Sequence, residues 1–149
     1  MINLGNLNIA IIEDDGSFAN PFINLVQCKK FFSYISIDEA YEEIILKEKH
    51  KDIDIYLIDI FLPLPKKISL GTDALVLNAG IYFHKFLEKQ LEKDIPVVFY
   101  SAFIENHPNL KKLVFDYIKV SFETRKFFDK LERIENMSEL IKQLNPKNE

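Results

Sequence analysis

The chain has 149 residues, 48% of them apolar, which is the size of one domain with ample material for a packed core and predicts no second domain. A formal net charge of −4, with Lys and Arg scattered along the chain, excludes the basic surface that direct nucleic-acid binding requires. No apolar run approaches the ~20 residues that span a bilayer and Met1-Ile2-Asn3-Leu4-Gly5 lacks a secretory pattern, so the expected setting is soluble and cytoplasmic, with no membrane partner.

Short apolar runs alternate with longer amphipathic ones, the pattern of repeated βα units and a parallel sheet. The first strand is expected at about Leu7 to Ile12. Ser17 is a candidate cap for the first helix, which carries Phe18, Phe22, Leu25 and Val26 at helical spacing and accepts Pro21 only in its first turn. Cys28, the single cysteine, cannot form an internal disulfide and reads as a half-buried thiol on that helix. A second strand is expected at about Phe31 to Ile35. Ser36 and Glu39 then make a capping box for a helix with Ala40, Tyr41, Ile44 and Ile45 as its apolar stripe.

The third strand is Ile53 to Ile58, and a long third helix is expected from Thr72 or Asp73 to about Lys93. The fourth strand is Ile95 to Tyr100. Asn106 or His107 caps a short fourth helix with Pro108 at its first position, followed by Leu110, Leu113 and Val114. The fifth strand is placed at about Phe115 to Lys119, and Ser121 caps a fifth helix carrying Phe127, Phe128, Leu131 and Ile134. From Asn136, Met137, Leu140, Ile141 and Leu144 continue an apolar period until Pro146. Residues 136–149 therefore extend the fifth helix, add a short sixth, or form a partner contact beyond a domain over 1–135. His50, His84 and His107 are too dispersed for a metal site and read as surface or cap residues.

Two of the apolar runs end in acid. Asn8-Ile9-Ala10-Ile11-Ile12 leads into Glu13-Asp14-Asp15, and Ile53-Asp54-Ile55-Tyr56-Leu57-Ile58 leads into Asp59. In a parallel sheet these carboxylates meet at one edge, where open α/β sheets bind ligands. Clustered carboxylates repel one another unless a cation sits among them, and all-oxygen ligation favours a hard ion such as Mg²⁺, which points to metal-assisted phosphoryl chemistry.

The order of these elements resembles the receiver domain of two-component response regulators, from about Leu7 to Ile134. Ile9-Ala10-Ile11-Ile12-Glu13-Asp14-Asp15 looks like its first strand and acidic pair, and Leu57-Ile58-Asp59-Ile60-Phe61-Leu62-Pro63 like its phosphoacceptor segment. Pro96-Val97-Val98-Phe99-Tyr100-Ser101-Ala102 is similar to its fourth strand with the hydroxyl residue, and Asp116-Tyr117-Ile118-Lys119 resembles its fifth strand with the lysine. The resemblance implies a doubly wound five-stranded parallel sheet of order 2-1-3-4-5, an α/β flavodoxin-like fold. It implies that Asp59 takes a phosphoryl group from a sensor histidine kinase, a phosphotransfer protein or a small phosphodonor. Mg²⁺ is then held by Glu13, Asp14, Asp59 and the carbonyl of Phe61, and Ser101 and Lys119 contact phosphoryl oxygens. It further implies a stand-alone switch, not an enzyme acting on other substrates. Its output is contact with a downstream protein, with a homodimer also possible, over a helix-four to helix-five face that includes Lys111, Lys112, Tyr117 and Arg125.

The chain departs from that pattern at the lysine, which in the family follows an aromatic residue by three positions and precedes a proline. Tyr117 stands only two before Lys119, and Val120 occupies the proline position, which removes the cis peptide usual there. A gapless match of Tyr117 and Phe122 instead puts Val120 at the lysine and Ser121 at the proline. The segment from Leu64 to Thr72 is longer than the usual loop and offers Lys66 or Lys67 as a lid charge. These departures support an alternative, a pseudo-receiver that binds partners without phosphorylation. A phosphohydrolase that forms an aspartyl phosphate would need a second aspartate where Phe61 stands.

Overall fold

The structure is a computed structural model that describes residues 1–102, 104–130 and 132–144. Five strands form one parallel sheet: β2 (Asn8–Ile12), β4 (Lys30–Tyr34), β5 (Ile55–Asp59), β6 (Val97–Ser101) and β7 (Arg125–Asp129). Their spatial order is β4-β2-β5-β6-β7, which over these five strands is 2-1-3-4-5, the order implied by the resemblance. A short strand β1 (Ile2–Asn3) pairs in parallel with β3 (Val26–Gln27), an addition with no signal in the apolar pattern. Cys28 is half-buried but follows β3 instead of riding on a helix.

Side chains alternate across the sheet, which divides the core in two. On one face Ala10, Ile12, Tyr56, Ile58, Val97 and Phe99 meet α2 (Ile37–Tyr41), its π-helical continuation Glu42–Leu46, α3 (Ala79–Leu91) and α4 (Pro108–Val120). On the other, Ile9, Ile11, Ile55, Leu57, Val98, Tyr100 and Phe128 meet α1 (Ala19–Leu25) and α5 (Ile134–Leu144). Because β5 and β6 are buried on both faces, their sequences read as unbroken apolar runs. Met137, Ile141 and Leu144 of α5 are buried against the sheet, so the described part of the segment after 135 packs on the same core. The expected stop at Pro146 and the core position Leu131 lie outside the described residues.

The last βα unit departs most from the expectation. Phe115 to Lys119 is not a strand: α4 runs on from Pro108 through Val120, burying Leu110, Val114 and Ile118 at i, i+4 and i+8. The fifth strand is β7, ten residues further along, in the segment expected to be helical. Its two adjacent phenylalanines face opposite cores, Phe127 toward α4 and Phe128 toward α1 and α5. A two-sided strand loses the polar alternation that would have marked it, and a helix reading filled the gap.

Smaller differences follow from local hydrogen bonds. Ser36 caps α2 as expected, its Oγ accepting from the Glu39 N–H at 3.0 Å. The third helix starts only at Ala79, because Asn78 stitches the preceding loop, accepting from Leu75 N–H at 2.7 Å and donating to the Asp73 carbonyl. His84 is fully buried instead of on the surface. Its Nε2 lies 2.8 Å from the Ile95 carbonyl, which can only accept, so Nε2 carries the proton and Nδ1 accepts from the Tyr117 hydroxyl at 2.7 Å. Burial holds the imidazole down to about 4, so it is neutral at physiological pH. Arg125, also buried, donates to the Tyr117 carbonyl and to Glu88, each at 2.7 Å. Tyr117 and Arg125 thus bolt the C-terminal end of α4 to α3; of the residues expected on an output face, Arg125 is buried and Tyr117 only partly exposed.

Gly80, in the first turn of α3, packs directly on the end of β5 and donates to the Ile60 carbonyl at 3.0 Å. A Cβ there would run into the backbone carbonyl of Asp59. Gly80→Ala is predicted to cost about 1–3 kcal/mol of stability and to displace the β5 terminus. Chemical denaturation checks the first, and amide chemical-shift changes around Asp59 check the second.

Candidate functional site

At the C-terminal edge of the sheet, β2 delivers Glu13, whose N–H donates to the Tyr34 carbonyl at 3.0 Å and continues the β2–β4 register by one step. The chain then turns back: Asp15 Oδ1 accepts from the Ser17 N–H at 2.9 Å, and Gly16 takes a left-handed conformation (φ +70°) that favours glycine. The turn brings the start of α1 over the Glu13 side chain. Its carboxylate accepts from the Phe18 N–H at 3.2 Å and the Ala19 N–H at 2.9 Å. Glu13, not Ser17, therefore caps α1. Asp14 and Asp15 are left exposed.

The neighbouring strand β5 ends on Asp59, only 5% exposed. Its Oδ1 accepts from the Phe61 N–H at 3.0 Å, and its Oδ2 lies 3.2 Å from Lys130 Nζ. Lys130 immediately follows β7, its N–H donating to the Ser101 carbonyl at 2.9 Å. The same ammonium stands 3.1 Å from Glu13 Oε1 and 5.2 Å from the Tyr100 ring centroid. The buried Ser101 ends β6, one position beyond the Tyr100 that pairs with Asp59. Asp14, Asp15, Asp59, Phe61, Pro63, Val76, Ala102 and Lys130 line a cavity of about 270 Å³.

Burial raises the Asp59 carboxyl to about 6, and the nearby Glu13 charge adds to the rise. Lys130 and the Phe61 N–H act the other way without cancelling it. For Lys130, burial works against the charge, but Asp59 and then Glu13 outweigh it and hold the ammonium above its ordinary range. Burial also pushes the Tyr100 hydroxyl up, so it stays protonated. A hydrogen bond from the Ser17 backbone N–H lowers the carboxyl of Asp15.

Of the residues singled out in the sequence, Glu13, Asp59 and Ser101 meet at one edge, and Asp14 and Phe61 join Asp59 in the cavity wall. Lys119 does not: it is exposed in the last turn of α4, because the segment expected to be a strand is helical. Lys66 and Lys67 also point elsewhere, their N–H groups donating to Asp38 and the Lys67 ammonium pairing with Glu42 at 2.7 Å. No residue from Leu64 to Thr72 lines the cavity; the flanking Pro63 and Val76 do. The lysine that sequence reading missed is Lys130. A signal for it existed: Phe127 precedes it by three positions, the spacing that Tyr117 and Lys119 lacked, and Leu131 follows where the proline was expected.

Among the described residues no three His, Cys, Asp or Glu side chains stand close enough to one another to hold a metal ion as they are placed. The donors of the cavity nevertheless suit a hard cation, with carboxylates from Asp14, Asp15 and Asp59 beside the Phe61 backbone. A cationic group, the Lys130 ammonium, already stands against one of these carboxylates.

Comparison of the fold with solved structures finds receiver domains. The response regulator receiver domain from Clostridium thermocellum matches at a TM-score of 0.56 and 14% identity, over 93% of this chain and 94% of that one. The non-phosphorylated HemR receiver domain from Leptospira biflexa gives 0.59 and 16% identity, over 93% and 94%. The isolated domain of RcsB from Salmonella enterica serovar Typhimurium, in the presence of the phosphomimetic BeF3⁻, gives 0.58 and 13% identity, over 90% and 84%. No protein-family model and no curated protein sequence matches the chain. The chain has the receiver fold.

The raised Asp59 carboxyl has a consequence for stability. Folding lifts it from the ordinary 3.8 to about 6, so its contribution to stability is full below about pH 4 and is lost as the pH rises through 6. Ionised Asp59 therefore costs stability at neutral pH, on the order of 3 kcal/mol. Asp59→Asn is expected to stabilise the metal-free protein by up to about that much at pH 7.5, with the gain shrinking toward zero near pH 4. Denaturant melts at the two pH values check it.

Proposed function

We propose that this chain is a phosphoacceptor receiver, a signalling module in which Asp59 takes a phosphoryl group from a histidine kinase, a phosphotransfer protein or a small phosphodonor. The observation that carries the reading is the Asp59 carboxylate at a strand end of the receiver fold, with the Lys130 ammonium 3.2 Å from one of its oxygens. An Asp59 oxygen attacks phosphorus, the bond from phosphorus to the donor nitrogen or oxygen breaks, and the donor leaves with that electron pair. Lys130 exchanges its contact with Asp59 for a phosphoryl oxygen, and Ser101 donates to another. Asp14 and Asp59, with the Phe61 carbonyl, would hold Mg²⁺, which would screen the charge of the incoming anion. RcsB, a fold neighbour, was solved with a phosphate mimic, which is in keeping with this reading.

Of the departures that favoured a pseudo-receiver, the lysine no longer argues for it, because Lys130 stands beside Asp59, while the proline is still absent, with Leu131 following the lysine. The output is a contact with a downstream protein through surfaces that repack when Ser101 and Lys130 move. No helix among the described residues is long and apolar enough to cross a membrane.

Acetyl phosphate with Mg²⁺ should add the mass of one phosphoryl group to the wild-type protein and none to Asp59→Asn, as read by intact-protein mass spectrometry. Lys130→Met should slow the labelling by about tenfold or more, whereas Lys119→Met should leave it unchanged. Equal labelling of wild type and Asp59→Asn would end the proposal.

A further inference from the structure

On α3 the sequence sets Tyr82, Lys85, Phe86 and Lys89 at i, i+3, i+4 and i+7, which makes them one stripe along the helix. The other sides of α3 are buried through Ile81, Phe83, His84 and Leu87, so the stripe is the side turned away from the core. Residues 69–71 of the inserted loop stand beside it. Loop and stripe together line a cavity of about 370 Å³, larger than the one of about 270 Å³ beside Asp59. Both walls are held in place. Ile68 and Leu70 pack on the core, Asp38 accepts from the Lys66 and Lys67 N–H groups, and Ser69 Oγ accepts from the Gly71 N–H at 3.3 Å. Across from the loop, the Phe86 ring meets that of Tyr41 edge-on, with centroids 5.8 Å apart.

The charge in this cavity is of one sign. No carboxylate lines it. Glu88 lies between the two lysines in sequence, but its carboxylate is taken by Arg125 and the Ile95 N–H, and Glu42 pairs with Lys67 of the loop. Among the described residues neither Lys85 nor Lys89 enters an ion pair. Lys85 Nζ rests instead over aromatic rings, 4.6 Å from the Tyr82 centroid and 5.2 Å from that of Tyr117. In a chain of net charge −4, two ammonium groups without an acid between them make this cavity attractive to an anion. Two partly exposed rings beneath them, Tyr82 and Phe86, offer a face on which a flat group can stack. We propose that the cavity binds a small aromatic phosphomonoester. Its ring lies against Tyr82 and Phe86, its phosphate is held between Lys85 and Lys89, and the Ser69 hydroxyl donates to a phosphate oxygen. Two cations match the dianionic charge of a phosphomonoester better than the single charge of a carboxylate. The cavity shares no lining residue with the one beside Asp59, so the proposal does not depend on the reading of that residue.

Titrations of the metal-free protein, followed by amide chemical shifts, test the proposal with four probes: AMP, phenyl phosphate, adenosine and inorganic phosphate. AMP should shift the amides of residues 69–71 and 82–89 and saturate. Adenosine lacks the charge and inorganic phosphate lacks the ring, so each should bind about tenfold or more weakly than AMP. Phenyl phosphate separates the two sources of such an ester: binding equal to that of AMP assigns the site to aryl phosphates in general, and weaker binding assigns it to nucleotides. The double variant Lys85→Gln/Lys89→Gln changes two exposed side chains and should keep the wild-type melting temperature while binding AMP about tenfold or more weakly. Asp59→Asn should bind AMP as the wild type does. The proposal is overturned if neither ester shifts these amides, if inorganic phosphate binds as tightly as AMP, or if the double variant keeps the wild-type affinity. Shifts confined to the surroundings of Asp59 would overturn it as well.

Discussion

One ammonium group holds the end of this sheet together. Two carboxylates on adjacent strand ends, both nearly buried, would repel each other strongly in a medium that screens poorly. Lys130 reaches both, at 3.1 Å from Glu13 and 3.2 Å from Asp59, from the far side of the β6 terminus. The pairing lets β2, β5 and β7 end at the same level with acidic groups facing inward.

Each of the three charges is fixed by backbone near it. The first turn of α1 holds Glu13, the Phe61 N–H holds Asp59, and the Ser101 carbonyl anchors the Lys130 main chain. The opposite edge of the sheet is held differently, by the buried Glu88–Arg125 pair and the Tyr117–His84 hydrogen bond, which fix α4 near its C-terminal end. The other end of α4 begins after His107, whose ring meets that of Phe61 edge-on with centroids 6.0 Å apart, and buries Leu110 in the core.

The long segment between β5 and α3 is built into the surface through its own hydrogen bonds and not by charge at the acidic site. Asp38 accepts from its backbone at Lys66 and Lys67, and Asn78 closes its far end. Pro63 and Val76, which flank the segment from Leu64 to Thr72, come to rest on the cavity wall and add apolar groups beside Asp59.

The sequence by itself determined a parallel sheet, the place of four of its five strands and the meeting of acids at its edge, because buried parallel strands leave continuous apolar runs and strand ends leave charged residues. Glu13, Asp14 and Asp59 were legible for that reason, whereas the strand order and Ser101 came from the resemblance. What only the tertiary structure decided is which lysine joins them and which acid faces the cavity. The segment at Phe115 to Lys119 and the one at Arg125 to Asp129 are both mixed apolar and charged runs of five residues, and only packing against β6 makes the second a strand and the first a helix. The burial of Glu13 and the exposure of Asp14 likewise depend on where α1 begins, a hydrogen-bonding choice made across the turn at Gly16 that no local pattern records.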